Sequence, residues 1–250
     1  MSAASGLARR ELVRLWRQPS RLIATLGTPA MLWIFFASGF AGSFDAPGET
    51  GAGDSYAAFF LPGAATLAVL FASIFAAMGL IQDRAEGFLQ AALVSPASRA
   101  SIALAKAAGA TIVALLQAIV LLAPAPLVGL DPSPLGFALA AAGLALTAAA
   151  VTSLGLALAW IVDSSEGFHG VMNALLMPMW LLSGALFPVS SAAPWLAAIA
   201  ALNPLAWCTT TVRASLTGAP FPTLSWIGAA LFAAASVAFA ARVMSSRTNR

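Results

Sequence analysis

The chain has 250 residues, of which 60% are hydrophobic and only 8% are charged. Globular proteins average about 25% charged residues, so this composition excludes an ordinary soluble domain. A net charge of +3, from twelve basic and nine acidic residues, does not indicate a nucleic-acid partner. One cysteine and one histidine exclude an internal disulfide and leave no Cys/His cluster for a metal ion.

Six stretches contain no Asp, Glu, Lys or Arg, and together they hold 180 of the 250 residues. They are 22–44, 55–82, 107–130, 132–162, 167–212 and 214–241. Each is longer than the ~20 residues that cross a ~30 Å hydrocarbon core as a helix. Because backbone groups in lipid must be satisfied within the protein, these stretches predict the helices of a multi-pass membrane protein.

The residues before the first apolar stretch predict an amphipathic helix over about 5–18. At helical spacing Arg10, Arg14 and Arg17 share one face, and Leu12 lies on the opposite face. A helix with basic and apolar faces suits the cytoplasmic membrane interface. A simple topology anchor and a docking role for a partner are equally open for it.

Six spans with both termini in the cytoplasm are predicted, and the first is expected to be retained rather than cleaved as a signal peptide. The predicted spans are about 22–42, 56–82, 102–127, 135–162, 168–187 and 222–242. This arrangement places eleven of the twelve basic residues in the cytoplasm and only Arg213 outside. Seven spans would split them eight to four, which fits the positive-inside rule less well.

The long stretch 167–212 is predicted to cross the membrane once and then to form an irregular external segment. Four prolines are expected to interrupt any continuous helix: Pro178, Pro188, Pro194 and Pro204. The part over about 189–204 is too apolar for an exposed loop, and it predicts one or two short re-entrant helices packed against protein. A collapsed apolar loop on the surface is the alternative.

The segment 83–99, between the second and third predicted spans, is the most charged part of the chain after the N-terminus. Phe88 and Leu89 would share one face of a short helix there, which Ser95 and Pro96 would end. An apolar-faced helix held at the membrane surface suits the groove of another protein. An interfacial loop without a partner is the alternative interpretation.

No residue pattern in the sequence predicts catalysis or nucleotide binding. Lys106 is the only lysine and follows an alanine, so the G-x-x-x-x-G-K-[ST] phosphate loop is absent. Ser183 stands beside Gly184, as in intramembrane serine proteases, but no histidine follows it, so a packing role is expected. Asp163 and Glu166 predict a solvated turn rather than a metal site. Since no ionisable residue is predicted at mid-membrane, the energy source is expected in another chain.

Three motifs resemble the permeases of the ABC type-2 transporter family, the membrane subunits of drug, lipid and polysaccharide exporters. The first motif joins 83–89 to 93–99 and Lys106, the second joins Pro178 to 182–188, and the third joins 202–205 to Arg213. Their order and spacing match the family across nearly the whole chain. The first and third motifs together are fairly specific.

The resemblance implies one all-α domain over 1–250, with six spans, that acts as a dimer beside a separate ATPase. The ATPase-coupling residues that it implies are Asp83, Arg84, Glu86, Gly87, Phe88, Leu89, Ser95, Pro96 and Arg99. The external gate that it implies comprises Ser183, Gly184, Phe187, Pro188, Asn203, Pro204 and Arg213. This chain would bind no cofactor or metal, and ATP and Mg²⁺ would bind the partner ATPase.

We therefore expect the permease subunit of an ABC exporter in the bacterial cytoplasmic (inner) membrane. Its partners would be the ATPase subunit, a second permease copy and membrane lipids. The pathway, lined mainly by the first, second and fifth spans, would carry an amphiphile such as a drug, lipid or glycolipid. A polysaccharide or lipo-oligosaccharide exporter, a stand-alone secondary transporter and a membrane enzyme are the alternatives.

Overall fold

The protein is described by a computed structural model, which covers residues 17, 19–41, 55–86, 99–162, 164–189 and 192–246. Within those residues the chain forms helices joined by turns, and none of them lies in a strand. The predicted all-α fold class is confirmed to that extent. The predicted interface helix over about 5–18 falls outside these residues, except for Arg17.

The helices follow one another with short connections. Helix α1 (Pro19–Leu22) continues through a π-helical turn (Ile23–Gly27) into α2 (Thr28–Gly39). Three long helices follow, α3 (Tyr56–Ala85), α4 (Arg99–Leu121) and α5 (Pro134–Val162), with a 3₁₀ turn (Ala125–Val128) between α4 and α5. The remaining helices are α6 (Ser165–Leu181), α7 (Pro194–Leu202), α8 (Pro204–Thr217) and α9 (Thr223–Ser246).

Four of the described helices, α3, α4, α5 and α9, are long and apolar enough to cross a membrane. Helices α7 and α8 meet at an angle of 87°, and they would supply a fifth crossing if the bent pair counts as one span. The stretch Ile23–Gly39 is a shorter apolar helix, and α6 has 17 residues. The protein is thus a multi-pass membrane protein, and the count of six spans stays a prediction.

Helix α5 lies at the centre of the bundle and packs against α3, α4, α8 and α9. Glycines on α5 allow α8 to approach closely. A Cβ atom at Gly136 would lie 2.6 Å from the carbonyl oxygen of Ser215, and one at Gly143 would lie 3.0 Å from the Thr211 hydroxyl. Small residues at helix contacts bring backbones together in this way, and here they hold α8 firmly against the bundle.

Helices α3 and α9 are similarly apolar but occupy different environments. In the most apolar part of α3, 78% of the residues are buried within the protein, against 28% in α9. Phe60 and Leu67 of α3 are almost fully buried, whereas Leu224 and Leu231 of α9 are exposed. Lipid solvates an exposed leucine as well as protein does, so hydropathy alone does not separate the core helix α3 from α9 at the edge of the bundle.

Prolines divide the second half of the chain only in part as expected. Pro194 and Pro204 each occupy the first turn of a new helix, a position that needs no backbone donor. Pro178, in contrast, lies inside α6. The expectation that Pro178 interrupts the helix is wrong, because a missing donor three residues before the end at Leu181 removes only a bond of the last turn.

Two polar contacts between helices lie inside the apolar bundle. The hydroxyls of Ser73 on α3 and Thr152 on α5 are 2.9 Å apart, and the indole of Trp180 on α6 donates to the carbonyl of Gly63 on α3 at 3.0 Å. Buried polar groups in a membrane domain stabilise helix packing when they find such partners. Both contacts involve α3 and connect it to α5 and α6.

Candidate functional site

The predicted functional residues lie near opposite ends of α3. Asp83 belongs to the last turn of α3, whereas Phe59, in its first turn, contacts Arg213 of α8. A rise of 1.5 Å per residue puts Phe59 and Asp83 about 36 Å apart along the helix. We name the two regions the Asp83 end and the Arg213 end.

At the Asp83 end, a buried ion pair joins α3 to α4. The ammonium of Lys106 on α4 donates a hydrogen bond to Oδ2 of Asp83. Asp83 is fully buried, and Lys106 is 4% exposed. A charge removed from water in this way needs a partner of opposite sign, so each residue makes the burial of the other tolerable.

The neighbouring residue, Arg84, connects α3 to α5. Its Nη1 atom donates to the carbonyl oxygen of Trp160 at 3.1 Å, and its guanidinium carbon lies 4.5 Å from the centre of the Trp160 ring. The cation thus contacts both a carbonyl and an aromatic face, which are two favourable environments for it. Because Trp160 stands in the last turn of α5, the ends of α3, α4 and α5 are linked together here.

The structure describes only some of the other predicted coupling residues. Glu86 follows α3 directly, and its backbone N–H donates to the carbonyl oxygen of Gln82 at 2.9 Å. The Glu86 side chain is exposed. Arg99 is the first residue of α4, and its side chain is not among those described. Gly87, Phe88, Leu89, Ser95 and Pro96 lie outside the described residues. The coupling role of the whole set stays a prediction.

Lys106 is the residue at this end that the predicted site omitted, although it followed the first motif. It is the only lysine in the sequence, and it lies within a largely apolar helix in which the first residue, Arg99, is the other charge. An ammonium in that environment is costly without a carboxylate nearby. That cost was the available signal for a buried partner, and the acidic candidates just before the segment 87–98 were Asp83 and Glu86.

At the Arg213 end, one guanidinium joins α8, α3 and the turn that follows α6. Arg213 Nη2 donates to the carbonyl oxygen of Gly184 at 2.7 Å and to that of Phe59 at 3.4 Å. Its guanidinium carbon also lies 4.1 Å from the centre of the Phe59 ring. Arg213 therefore holds the turn over 182–187 against the first turns of α3.

The turn itself has a conformation and a packing that restrict its sequence. Gly184 has φ of +72°, a left-handed value that side chains rarely adopt. Next to it, Ala185 occupies the space above Gly63, where a Cβ atom would come within 2.7 Å of the Ala185 Cβ. The Tyr56 hydroxyl donates to the carbonyl of Leu186 at 2.8 Å. The turn is thus held by α3 along its length.

The hydroxyl of Ser183 is engaged in local hydrogen bonds. It donates to the carbonyl of Trp180 at 2.6 Å and lies 3.3 Å from the Thr209 hydroxyl, which donates to it. Ser183 is only 2% exposed. These contacts join the end of α6 to α8, so Ser183 contributes to the packing of the turn against the bent pair.

Asn203 forms the bend between α7 and α8. Its Oδ1 accepts a hydrogen bond from the backbone N–H of Leu205 at 3.0 Å and caps α8, which begins at Pro204. Its Nδ2 donates to the carbonyl of Met179 on α6. The side-chain amide of Asn203 therefore both caps α8 after the bend and holds the bend against α6.

Two cavities lie on either side of these contacts. The first has a volume of about 420 Å³, and its lining includes Ser183, Gly184, Pro188, Trp207, Thr210 and Arg213. The second, of about 370 Å³, is lined by residues that include Pro178, Leu182, Asn203 and Pro204. Phe187 is half-buried in the turn and belongs to neither lining. The predicted gate residues are thus neighbours, but they face two separate spaces.

In the part of the chain that the structure describes, no three His, Cys, Asp or Glu residues come close enough to hold a metal ion. Glu166 is exposed in the first turn of α6, where an acidic side chain interacts favourably with the helix dipole. Asp163, its predicted companion in the turn, lies outside the described residues.

Comparison with known proteins assigns the chain to a family. A model of the ABC-2 type transporter family matches residues 4–217. A protein named "Putative transport permease ycf38" from Porphyra purpurea is 30% identical over 214 residues, which cover 83% of this chain and 71% of that protein. Proteins of the same name from Pyropia yezoensis and Cyanophora paradoxa are 29% identical (80% and 69% covered) and 27% identical (83% and 71% covered). The chain therefore belongs to the ABC-2 type transporter family of membrane permeases, as its sequence motifs predicted.

Proposed function

We propose that this chain is the permease subunit of an ABC exporter and that a separate ATPase docks at the Asp83 end. The observation that carries the proposal is the pair of polar links at that end. Asp83 and Lys106 join the two helices between which the segment 87–98 runs, and Arg84 joins them to α5. A displacement of the segment by the ATPase would therefore move α3, α4 and α5 together, as an energy-coupling site requires.

Six spans fit the proposal if the two shorter helical regions also cross the membrane. The continuous stretch from Pro19 to Gly39 would extend about 31 Å at 1.5 Å per residue, enough for a ~30 Å core. Helix α6 would extend about 25 Å, which local thinning of the bilayer and the following turn can accommodate. With six spans the Asp83 end is cytoplasmic, since eleven of twelve basic residues then share that side.

We propose that two permease copies form the transport pathway. Helices α2 and α6 expose apolar side chains, among them Ile34 and Phe35 on α2 and Leu175 on α6. Helix α3, in contrast, has little free surface. The pathway is proposed to run between the first and fifth predicted spans of two protomers, with the buried second span packed behind them.

We propose an amphiphilic substrate, a drug, lipid or glycolipid, carried across the bacterial cytoplasmic membrane. The cavity of about 420 Å³ combines alanine side chains and Trp207 with the polar groups of Thr210 and Arg213, a lining suited to a molecule with both characters. A polysaccharide exporter would be expected to show an aromatic belt along its pathway. Trp160 and Trp180 are only 7% and 3% exposed, so neither side chain has the free surface that such a belt needs.

The docking proposal is tested by co-purification from membranes in which the chain and a candidate P-loop ATPase of the ABC type are expressed together. We expect Phe88→Asp to abolish association, because a carboxylate would enter an apolar contact, and Glu86→Lys to weaken it. Leu127→Asp is the matched control, since Leu127 is 87% exposed in the turn between α4 and α5, at the other end of the bundle. Association that survives Phe88→Asp and Glu86→Lys would refute the docking site.

The exporter proposal is tested by ATP-driven movement of labelled amphiphiles in vesicles that contain the permease and its ATPase. We expect transport that requires ATP and both subunits. Transport that follows an ion gradient without ATP would support the secondary transporter, and chemical conversion of the amphiphile would support the membrane enzyme. Movement of a labelled oligosaccharide in place of every amphiphile would support the polysaccharide exporter.

A further inference from the structure

The Asp83–Lys106 pair stands where two helices lead into and out of the segment 87–98. Asp83 is three residues before Glu86, which directly follows α3, and Lys106 is seven residues after the start of α4 at Arg99. The pair is thus about 5 Å and 10 Å along the helices from the points where the segment begins and ends. Any displacement of the segment must pass through the two turns that this pair joins.

The burial of both charges makes the contact sensitive to small shifts. Asp83 is fully buried, and Lys106 is 4% exposed, so water cannot replace either partner without opening the bundle. Apolar side chains at the same places could slide past each other at little cost, because dispersion contacts have no preferred partner. An ion pair in a low-dielectric region instead fixes one geometry between the two helices.

Stability alone does not require such a pair. Replacing a buried ion pair by apolar residues of similar volume is often neutral or stabilising, whereas removing one partner strands the other charge. In some proteins a buried ion pair is retained because it specifies one arrangement of the groups around it. The specific arrangement here is that of α3 and α4, and Arg84 extends it to Trp160 on α5.

We infer that Asp83 and Lys106 are positioning residues for energy coupling: they hold the ends of α3 and α4 as one body, so that movement of the segment 87–98 becomes movement of the transmembrane helices. This inference rests on the proposed function, since it requires an ATPase that acts on the segment. Neither residue needs to touch the ATPase or the substrate. Their effect would be on the amount of transport obtained for each ATP hydrolysed.

The test replaces both charges at once. Asp83→Leu/Lys106→Met keeps the approximate volume and leaves no stranded charge, so the double variant is expected to fold and to bind the ATPase. In vesicles with the ATPase, we expect ATP hydrolysis to continue while transport per ATP falls by roughly fivefold or more, by analogy with the smallest usual coupling between two allosteric sites. A pair with only a structural role would leave that ratio unchanged.

The matched control is Ser73→Ala/Thr152→Val, which removes a buried polar contact between α3 and α5 without touching a charge. We expect its transport per ATP to stay within about twofold of the unmodified protein, since a single neutral hydrogen bond contributes little. The charge-swapped variant Asp83→Lys/Lys106→Asp restores an ion pair and is expected to recover most of the ratio. If the apolar double variant fails to fold, the ratio of the charge-swapped variant still tests the inference, because a low ratio in that folded variant would contradict it.

Two outcomes would overturn the inference. An apolar double variant, correctly assembled with the ATPase, that transports as much per ATP as the unmodified protein would show that the pair is not a positioning device. A folded charge-swapped variant with a ratio as low as that of the double variant would show the same. If the unmodified protein shows no ATP-driven transport at all, the proposed function itself fails, and the inference fails with it.

Discussion

The two ends of α3 hold a cation in different ways. At the Asp83 end, Lys106 pairs with a buried carboxylate on another helix. At the Arg213 end, the guanidinium of Arg213 is held by the carbonyls of Gly184 and Phe59 and by the Phe59 ring. The first contact joins two charges, and the second joins a charge to neutral groups.

The difference concerns how easily each contact opens. Separating a buried carboxylate from a buried ammonium leaves two charges without a partner, which is strongly unfavourable. A guanidinium that leaves backbone carbonyls leaves neutral groups, which water or a polar substrate can bind at lower cost. The Asp83 end therefore has the properties of a rigid joint, and the Arg213 end those of a contact that can open.

The largest expected effect is that of removing a single charge at the Asp83 end. Lys106→Met should lower the free energy of unfolding by about 3–5 kcal/mol, because Asp83 stays buried without its partner. Unfolding in mixed micelles, followed by circular dichroism, measures it. The apolar double variant Asp83→Leu/Lys106→Met is the control and should regain most of the loss. A Lys106→Met protein as stable as the original would break the comparison between the two ends.

A smaller loss is expected for the corresponding change at the Arg213 end. Arg213→Met should cost about 1.5–3 kcal/mol, the usual range for hydrogen bonds that involve a charged group. The same unfolding measurement applies, with Lys106→Met in parallel. A cost for Arg213→Met that exceeds the cost for Lys106→Met would reverse the assignment of the rigid and the opening ends.

The packing of the turn against α3 can be tested separately from its charge contacts. Gly63→Ala should destabilise the protein by about 1–3 kcal/mol, since the new Cβ overpacks the contact with Ala185. Gly155→Ala is the matched control, because its Cβ would meet only ordinary contacts, at 3.7 Å from Ala77 and Ser73. Thermal unfolding in detergent compares the two variants. Equal stability of both would show that the turn does not need this close approach.

The smallest effect is expected at the bend between α7 and α8. Asn203→Ala removes the cap of α8 and the bond to Met179, and the cap alone is worth about 0.5–2 kcal/mol. Asn203→Asp keeps the cap and loses only the amide donor, so its stability should lie between that of the unmodified protein and that of Asn203→Ala. Unfolding curves of the three proteins provide the measurement. An Asn203→Asp protein less stable than Asn203→Ala would show that Asn203 does not act as a cap.

The helical architecture could be predicted from the sequence because charge and proline positions have local consequences. Charge-free stretches predicted the helices α3, α4, α5 and α9, and Pro194 and Pro204 predicted interruptions of a continuous helix, where the structure begins new helices. Burial could not be predicted in the same way. Helices α3 and α9 are similarly apolar, and hydropathy does not distinguish a neighbour made of protein from one made of lipid.

The partners within the candidate site could not be predicted because they depend on the register between helices. Asp83 and Lys106 are 23 positions apart, and only the packing of α3 against α4 brings them together. The contact of Gly63 with Ala185 likewise depends on how the turn after α6 meets α3. The motifs named residues at both ends of α3, whereas the contacts between those residues required three-dimensional information.

The most direct test of the account is transport of a labelled amphiphile into inside-out vesicles that contain the permease and its ATPase. The account predicts accumulation that requires ATP and is lost with Phe88→Asp, while the control Leu127→Asp transports normally. Accumulation without ATP, or undiminished ATP-driven accumulation with Phe88→Asp, would contradict the claim that a separate ATPase drives this permease through its Asp83 end.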